Sequence, residues 1–199
     1  MEPITALVQS LGLAYASGIS LYATVAFVGL AEHLGWIGPL PGQLGILADP
    51  WVFGIAGALA LGEALALLVP GLARAWEAVH TGVRPFGAAA VAVLATWGTP
   101  RVALVAALVG GALGLATHAT KLGLRASLDA SPEPFTNAAA TAAELGVVAA
   151  LGWAVWSHPW LSLAAALTLL ALLFLAVRAL WRAVGRAVRG LFRGAPAPP

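Results

Sequence analysis

Polar side chains recur at helical spacing in the second half of this 199-residue sequence. Asn137, Thr141 and Glu144 follow i, i+4, i+7 spacing, which places all three on one face of a helix. In an apolar environment an amide and a carboxyl cost free energy unless they are hydrogen-bonded or bind a ligand. The spacing predicts either a polar cavity for an anionic or carbonyl-bearing group, or hydrogen bonds that hold helices together.

Three further polar residues in apolar segments are candidates for the same site. Ser20 and Thr24 follow i, i+4 spacing early in the chain, and Glu63 lies in the middle of a later apolar run. A buried carboxyl such as Glu63 carries a proton or pairs with a cation. We therefore predict ligand-binding roles for Ser20, Thr24 and Glu63 alongside the 137–144 stripe.

Basic residues form two groups at helical spacing. His80 and Arg84 are four residues apart, and His118 and Arg125 are seven apart with Lys121 between them. Such groups bind an anionic head group or a substrate carboxylate. The alternative is that they only anchor helices at the membrane interface.

No pattern of residues indicates an enzyme. The chain has no Cys, which excludes disulfides and thiolate chemistry. It has no HExxH motif, no phosphate-binding glycine loop and no nucleophile turn. We predict no catalytic residue, no cofactor, no metal site and no nucleic-acid partner.

The composition indicates an all-α polytopic membrane protein. Sixty-one per cent of the residues are hydrophobic and 9% are charged, and mean hydropathy is +0.93, whereas soluble domains carry about 25% charged residues. A spanning helix needs about 20 apolar residues. Six segments meet or approach this length: 4–36, 50–69, 86–99, 101–124, 135–156 and 159–181. The third could begin near Ala73, with a kink at Pro85.

The basic residues predict an orientation. With both termini cytoplasmic, nine of the ten Lys and Arg residues lie inside and only Arg101 lies outside. The loop 37–49 has no Lys or Arg, as expected of an external loop. We predict a multi-pass protein of the cell inner (plasma) membrane with both termini inside.

The first segment is too long for one crossing. Residues 4–36 would form a helix of about 50 Å, against a hydrocarbon core of about 30 Å. Gly18 and Ser20 favour a break, with Ser20 as the N-cap of the restarted helix. The alternatives are a long tilted helix and a re-entrant half-helix over 4–16.

Two parts of the chain resemble each other. At an offset of 117, segments 17–36 and 134–153 share seven identities: Ala23/Ala140, Thr24/Thr141, Ala26/Ala143, Gly29/Gly146, Leu34/Leu151, Gly35/Gly152 and Trp36/Trp153. Each is preceded by Leu-Gly-Leu-Ala and followed by a helix that opens with Pro-Trp. This favours an internal pseudo-repeat with parallel matched helices and a site at the repeat interface; convergent membrane composition is the alternative.

Three motifs resemble the markers of a bacterial membrane family, domain of unknown function 4126. They are Ser17-Gly18-Ile19-Ser20-Leu21-Tyr22, His80-Thr81-Gly82-Val83-Arg84-Pro85 and Ser131-Pro132-Glu133-Pro134-Phe135-Thr136-Asn137. Family members usually have Asn-Pro where this chain has Ser20-Leu21, and often Glu-Asp where it has Glu144-Leu145. The resemblance covers most of residues 10–156 and implies no particular activity.

The predicted organisation is a six-helix membrane domain over 1–182, with repeat cores at 17–69 and 134–181. An amphipathic interfacial helix follows at 183–194, and a disordered Pro-rich tail ends the chain at 195–199. Five Arg residues recur on one face of the C-terminal helix, which favours binding of anionic lipid at the cytoplasmic surface. They are Arg178, Arg182, Arg186, Arg189 and Arg193.

Three functions fit the sequence. The first is a small transporter or permease with a polar site between the repeats, acting on an unknown solute. The second is a lipid-binding or lipid-translocating protein, and the third is a structural or assembly subunit. The apolar exterior is also compatible with a homo-oligomer. The rigid turn 131–134 is either a gate or a helix-start device.

Overall fold

The computed structural model is all-helical over the part of the chain it describes, which comprises residues 3–128 and 134–168 and isolated positions up to 186. Its elements are α1 (Pro3–Ile19), α2 (Leu21–His33), a short 3₁₀ helix (Leu44–Ala48), α3 (Pro50–Leu68), α4 (Pro70–Ala95), α5 (Pro100–Leu128) and α6 (Pro134–Ser157). A further apolar helix, α7, is described over Pro159–Thr168.

Four of the described helices are long and apolar enough to cross a membrane, namely α3, α4, α5 and α6. Large apolar side chains project outward from them: Trp51, Phe86 and Phe135 are 79%, 79% and 82% exposed. Several charged groups lie inside instead, and among them Arg84 is fully buried. This inverted distribution is compatible with an integral membrane protein, as the composition predicts.

The third predicted segment starts too late. The sequence places it at 86–99, but α4 begins at Pro70 and continues through Pro85. A proline at the first helical turn is well tolerated because its missing N–H would have no partner there. The alternative start near Ala73 is therefore close to the observed one.

Helices α1 and α2 form a hairpin around Ser20, which the predicted break anticipates. Helix α1 runs parallel to α5, because Ala14 packs beside Gly110 and Gly18 packs beside Gly114. Helix α2 then returns to the end from which α1 came. Ala6, near the start of α1, consequently shares a cavity with loop residues of 37–49 and with the α4–α5 turn.

This hairpin corrects the predicted topology. The start of α1 and the loop 37–49 lie at the same end of the bundle, whereas the sequence places them on opposite sides. The first 73 residues contain no Lys or Arg, so the positive-inside rule could not assign an orientation to this part of the chain. The re-entrant alternative for the first segment is closer to the structure, and six full crossings are not found in the described residues.

The two ends of the bundle differ. The loop end comprises the segment 34–49, the α4–α5 turn and the α6–α7 turn, and it contains an apolar cluster. Leu40, Leu44 and Leu47 are buried in that cluster with Val28 and Val155. The basic end comprises the α3–α4 junction and the last turns of α5.

Helix directions agree with those that the predicted repeat requires. Helix α2 runs parallel to α6, since Ala23 packs with Val148 and Phe27 lies against Gly152. Helix α1 likewise runs parallel to α5. The pseudo-symmetry itself stays a prediction. The turn at 131–133, the helix at 183–194 and the tail at 195–199 lie outside the described residues, apart from the isolated position 186.

Candidate functional site

The break between α1 and α2 is stabilised by Ser20. This residue has an extended backbone, and its hydroxyl accepts a hydrogen bond from the Ala23 N–H at 3.2 Å. The same hydroxyl donates to Glu63 Oε2 at 2.7 Å. The predicted N-cap role of Ser20 is confirmed, and the cap also joins the break to α3.

Opposite charges lie at the two helix ends that meet at this break. Lys121 Nζ donates to the Ile19 carbonyl, at the C-terminus of α1, at 3.0 Å. The Glu63 carboxylate lies at the N-terminus of α2. A helix has partial negative charge at its C-terminus and partial positive charge at its N-terminus. The cation and the carboxylate therefore each face the helix end that stabilises them.

Lys121 is the centre of a buried ionic network. Its ammonium lies 3.2 Å from Glu63 Oε1, 2.8 Å from Glu77 Oε1 and 3.1 Å from Glu144 Oε2. These carboxylates come from α3, α4 and α6. One lysine on α5 thereby links three neighbouring helices as well as the end of α1.

Arg84 is the second cation of the network. It pairs with Glu63, and its Nη1 donates to Glu77 Oε2 at 2.8 Å. Nη1 also lies 2.6 Å from His118 Nδ1. Because a guanidinium only donates, Nδ1 accepts, and the remaining ring nitrogen donates to the Thr81 hydroxyl at 3.0 Å. His118 is thus neutral in this arrangement.

Arg125 extends the network to α6. Its Nε donates to Glu144 Oε1 at 2.8 Å, and its Nη2 donates to the Thr141 hydroxyl at 2.9 Å. Thr141 in turn donates to the Asn137 carbonyl at 2.9 Å. The predicted stripe on α6 therefore faces the network.

His80 belongs to an aromatic group beside the break. Its ring stacks on Trp76, with 4.5 Å between centroids. Its Nδ1 lies 2.7 Å from the Trp76 carbonyl and its Nε2 lies 3.1 Å from the Tyr22 hydroxyl. A neutral imidazole satisfies both contacts by donating from Nδ1 and accepting at Nε2.

The network is electrically balanced. Three cations meet three carboxylates: Arg84, Lys121 and Arg125 with Glu63, Glu77 and Glu144. Uncompensated buried charge is very costly, whereas paired and hydrogen-bonded charges are tolerated. Among the described residues no group of three or more His, Asp and Glu side chains is arranged to hold a metal ion.

Two cavities flank the network on the basic side. One, of 430 Å³, lies between α1, α5 and α6, and includes Lys121, Arg125 and Glu144 in its lining. The other, of 320 Å³, lies between α3, α4 and α5, and reaches Glu77 and Arg125. Glu144 is the most accessible carboxylate of the network, with 19% of its side chain exposed.

The structure brings most of the predicted ligand-binding residues together. Ser20 reaches Glu63, and Glu63 meets Glu144 only through Lys121. Thr24 donates to the Ser20 carbonyl at 2.8 Å and is buried. Asn137 is buried in the first turn of α6. Ligand binding by these residues stays a prediction.

The five predicted basic residues are buried inside the bundle. Arg84 and His118 are fully buried, and Lys121 and Arg125 are nearly so. Carboxylates pair with Arg84, Lys121 and Arg125 and compensate their charge. His80 is also buried, against Tyr22. Contact of these five residues with a head group or another anion stays a prediction.

Glu77 is the main network residue that the sequence analysis missed. It lies seven residues before Arg84 and three before His80 on α4, so all three share one helix face. That spacing was the available signal. A carboxylate at i–7 from a buried arginine indicates pairing within one helix.

The chain belongs to the family described as Domain of unknown function (DUF4126), whose model matches residues 7–179. No curated protein and no solved structure matches the chain. The family resemblance expected from the sequence motifs is thus confirmed. The family description assigns no activity.

Proposed function

We propose that this protein is a small membrane transporter whose solute site includes the ionic network at the α1–α2 break. The observation that carries the proposal is a balanced but deeply buried charge cluster directly beside a 430 Å³ cavity. Intramembrane charges are costly and usually mark a substrate or ion pathway. Broken helices are where membrane transporters commonly bind substrate.

The arrangement of the two ends supports an alternating mechanism. In this proposal the apolar cluster around Leu40, Leu44 and Leu47 is the barrier at the loop end. The cavities beside Glu77 and Glu144 lie in the basic half of the bundle. A solute entering from the basic side would therefore reach the network and stop at the apolar closure. Transport requires that the closure open while the cavities close.

The basic end is proposed to be cytoplasmic. Arg74, Lys121 and Arg125 lie toward this end, and Arg101 lies at the loop end. With the α1–α2 hairpin re-entrant, the N-terminus is external in this orientation and the C-terminus is cytoplasmic. Location in the plasma membrane, contact of the C-terminal helix with anionic lipid and homo-oligomerisation are retained as proposals.

The other two functions receive less support. The lipid-handling alternative requires that Arg84 and Lys121 reach a head group, and both side chains are buried and paired with carboxylates. The structural-subunit alternative requires dry packing, whereas cavities adjoin Glu144 and Arg125. No contact in the described residues favours either alternative over transport.

Access to the cavity from both sides tests the proposal without knowledge of the solute. The chain has no native Cys, so Ala140→Cys, in the cavity lining, can be labelled selectively. A charged, membrane-impermeant thiol reagent should label this residue in right-side-out and in inside-out vesicles. Transport requires both, because the site must open to each side in turn.

A cysteine on the lipid-facing surface is the control for labelling that does not depend on the cavity. Leu108→Cys lies on the exposed apolar surface of α5 and should stay unlabelled from either side. Labelling of Ala140→Cys from one side only, in vesicles shown to be sealed, would overturn the proposed transport function.

A further inference from the structure

The cavity between α1, α5 and α6 has two chemically distinct parts. Ile19, Leu124 and Val147 contribute apolar surface, and Arg125 and Glu144 form an ionic pair in the lining. Its volume of 430 Å³ is within the range of sites for small molecules, about 300–1,000 Å³. Such a cavity matches a short molecule with one charged group and one apolar body.

Glu144 occupies the position that an anionic ligand group would take. Its two oxygens lie 2.8 Å from Arg125 Nε and 3.1 Å from Lys121 Nζ. These two cations would be the natural partners of an incoming carboxylate. A ligand anion therefore competes with the protein's own carboxylate.

Charge balance sets a condition on this exchange. The network already contains three cations and three carboxylates, with His118 neutral. An added anion would leave one buried negative charge without compensation, which is strongly unfavourable. One proton arriving with the anion restores the balance.

Glu144 is the carboxyl best placed to take that proton. Its side chain is 19% exposed, against 4% for Glu63 and 7% for Glu77. The titratable or charged groups around it are Lys121 and Arg125 from α5, and Tyr15 from α1 across the cavity. Glu63 from α3 and Glu77 from α4 reach it only through Lys121, and Ser20, the N-cap of α2, is bonded to Glu63.

We infer that this cavity binds a free short-chain amphipathic monoanion together with one proton, which Glu144 takes up. Resting on the proposed transport function, the inference names its substrate class and makes the coupled movement electroneutral. No covalent bond of the ligand changes. The proton moves from solvent to a Glu144 oxygen, and the bonds from Arg125 and Lys121 pass from Glu144 to the ligand anion.

Calorimetry on the full chain in nanodiscs of zwitterionic lipid tests this inference. The probes are hexanoate and hexanesulfonate, titrated in two buffers of different ionisation enthalpy. Because a sulfonate stays ionised, any proton taken up with hexanesulfonate must bind the protein. We expect uptake of close to one proton per anion, and affinity that weakens with rising pH by up to about tenfold per pH unit wherever that proton is taken up, as one linked proton requires.

Four variants locate the effect. Glu144→Gln should bind hexanesulfonate without proton uptake and without pH dependence, and Arg125→Gln should lose at least tenfold in affinity. Arg101→Gln, an exposed charge outside the network, should behave as wild type. If a network variant fails to fold, Ala140→Leu narrows the cavity without changing a charge, and should also lose at least tenfold.

Several results would overturn the inference. They are absence of binding for both probes, binding without proton uptake in the wild type, and full proton uptake in Glu144→Gln. A phospholipid that stays bound after delipidation and is not displaced by hexanoate would instead identify a lipid as the occupant.

The experiments can reject the transport function and the substrate class independently of each other. Labelling of Ala140→Cys from both sides with no binding of either probe leaves transport in place and rejects the substrate class. Proton-linked binding with one-sided labelling confirms the class of ligand that the cavity binds and rejects transport.

Discussion

Lys121 is the central cation of the buried network. Three carboxylates and one helix-terminal carbonyl surround its ammonium group. Without it, Glu63, Glu77 and Glu144 would share only Arg84 and Arg125. Close like charges in a buried site repel each other strongly and favour protonation or unfolding.

Lys121→Gln should therefore destabilise the fold substantially. Breaking a buried ion pair by removing one partner costs about 3–5 kcal/mol, so we expect the melting temperature in detergent to fall by several degrees. Adding Glu144→Gln to the same chain restores charge balance and should recover part of the loss. Arg101→Gln serves as control and should leave the melting temperature unchanged; an equal loss there would indicate a general effect of charge.

Ser20 combines a helix cap with a bond to a buried carboxylate. Ser20→Ala removes both, and should cost about 1–3 kcal/mol. Ser20→Asn, the usual residue of the family motif, supplies both an acceptor and a donor and should restore most of that stability. Ser157→Ala is the matched control, because Ser157 is exposed and bonds only within its own helix turn and to His158. Thermal unfolding of the three variants in one detergent provides the comparison.

At the level of helices, the sequence predicted where helices start and break better than it predicted contacts between different helices. The break at Ser20, the start of α3 at Pro50 and the α6–α7 turn before Pro159 follow from residues that cap or end helices. The pairing of Arg84 with Glu63 and of Lys121 with Glu77 depends on the rotation and depth of different helices. The periodicity of the sequence shows which face of a helix is buried, but not which other helix packs against that face.

Gly29 is a position where helix packing depends on the absence of a side chain. A Cβ there would lie 2.0 Å from the Leu47 carbonyl oxygen, in the backbone of the 3₁₀ helix. Gly29→Ala should therefore cost about 1–3 kcal/mol through overpacking. Its counterpart in the predicted repeat, Gly146, has no atom within 4 Å of the added Cβ. Gly146→Ala should be neutral or stabilise α6 by up to about 1 kcal/mol, and both are measured by thermal unfolding. Equal losses in the two variants would contradict the packing argument.

For the whole molecule, the α1–α2 hairpin decides what the network can do. A helix that crossed the membrane unbroken would leave no helix ends near Glu63 and Lys121. Because the chain turns at Ser20, the C-terminus of α1 and the N-terminus of α2, which have opposite partial charges, both lie at the buried site. The same turn places the start of α1 and the loop 37–49 at one end of the bundle.

Single-cysteine labelling in sealed vesicles tests that arrangement directly. Ile4→Cys and Gln43→Cys are exposed at the loop end, and Gly71→Cys is exposed at the basic end. We expect an impermeant thiol reagent to label positions 4 and 43 from the same side and position 71 from the opposite side. The reason is geometric, because α1 runs parallel to α5 and Gly18 lies against Gly114. Labelling of position 4 together with position 71 would mean that the first segment crosses the membrane, and would remove the helix break from the proposed site.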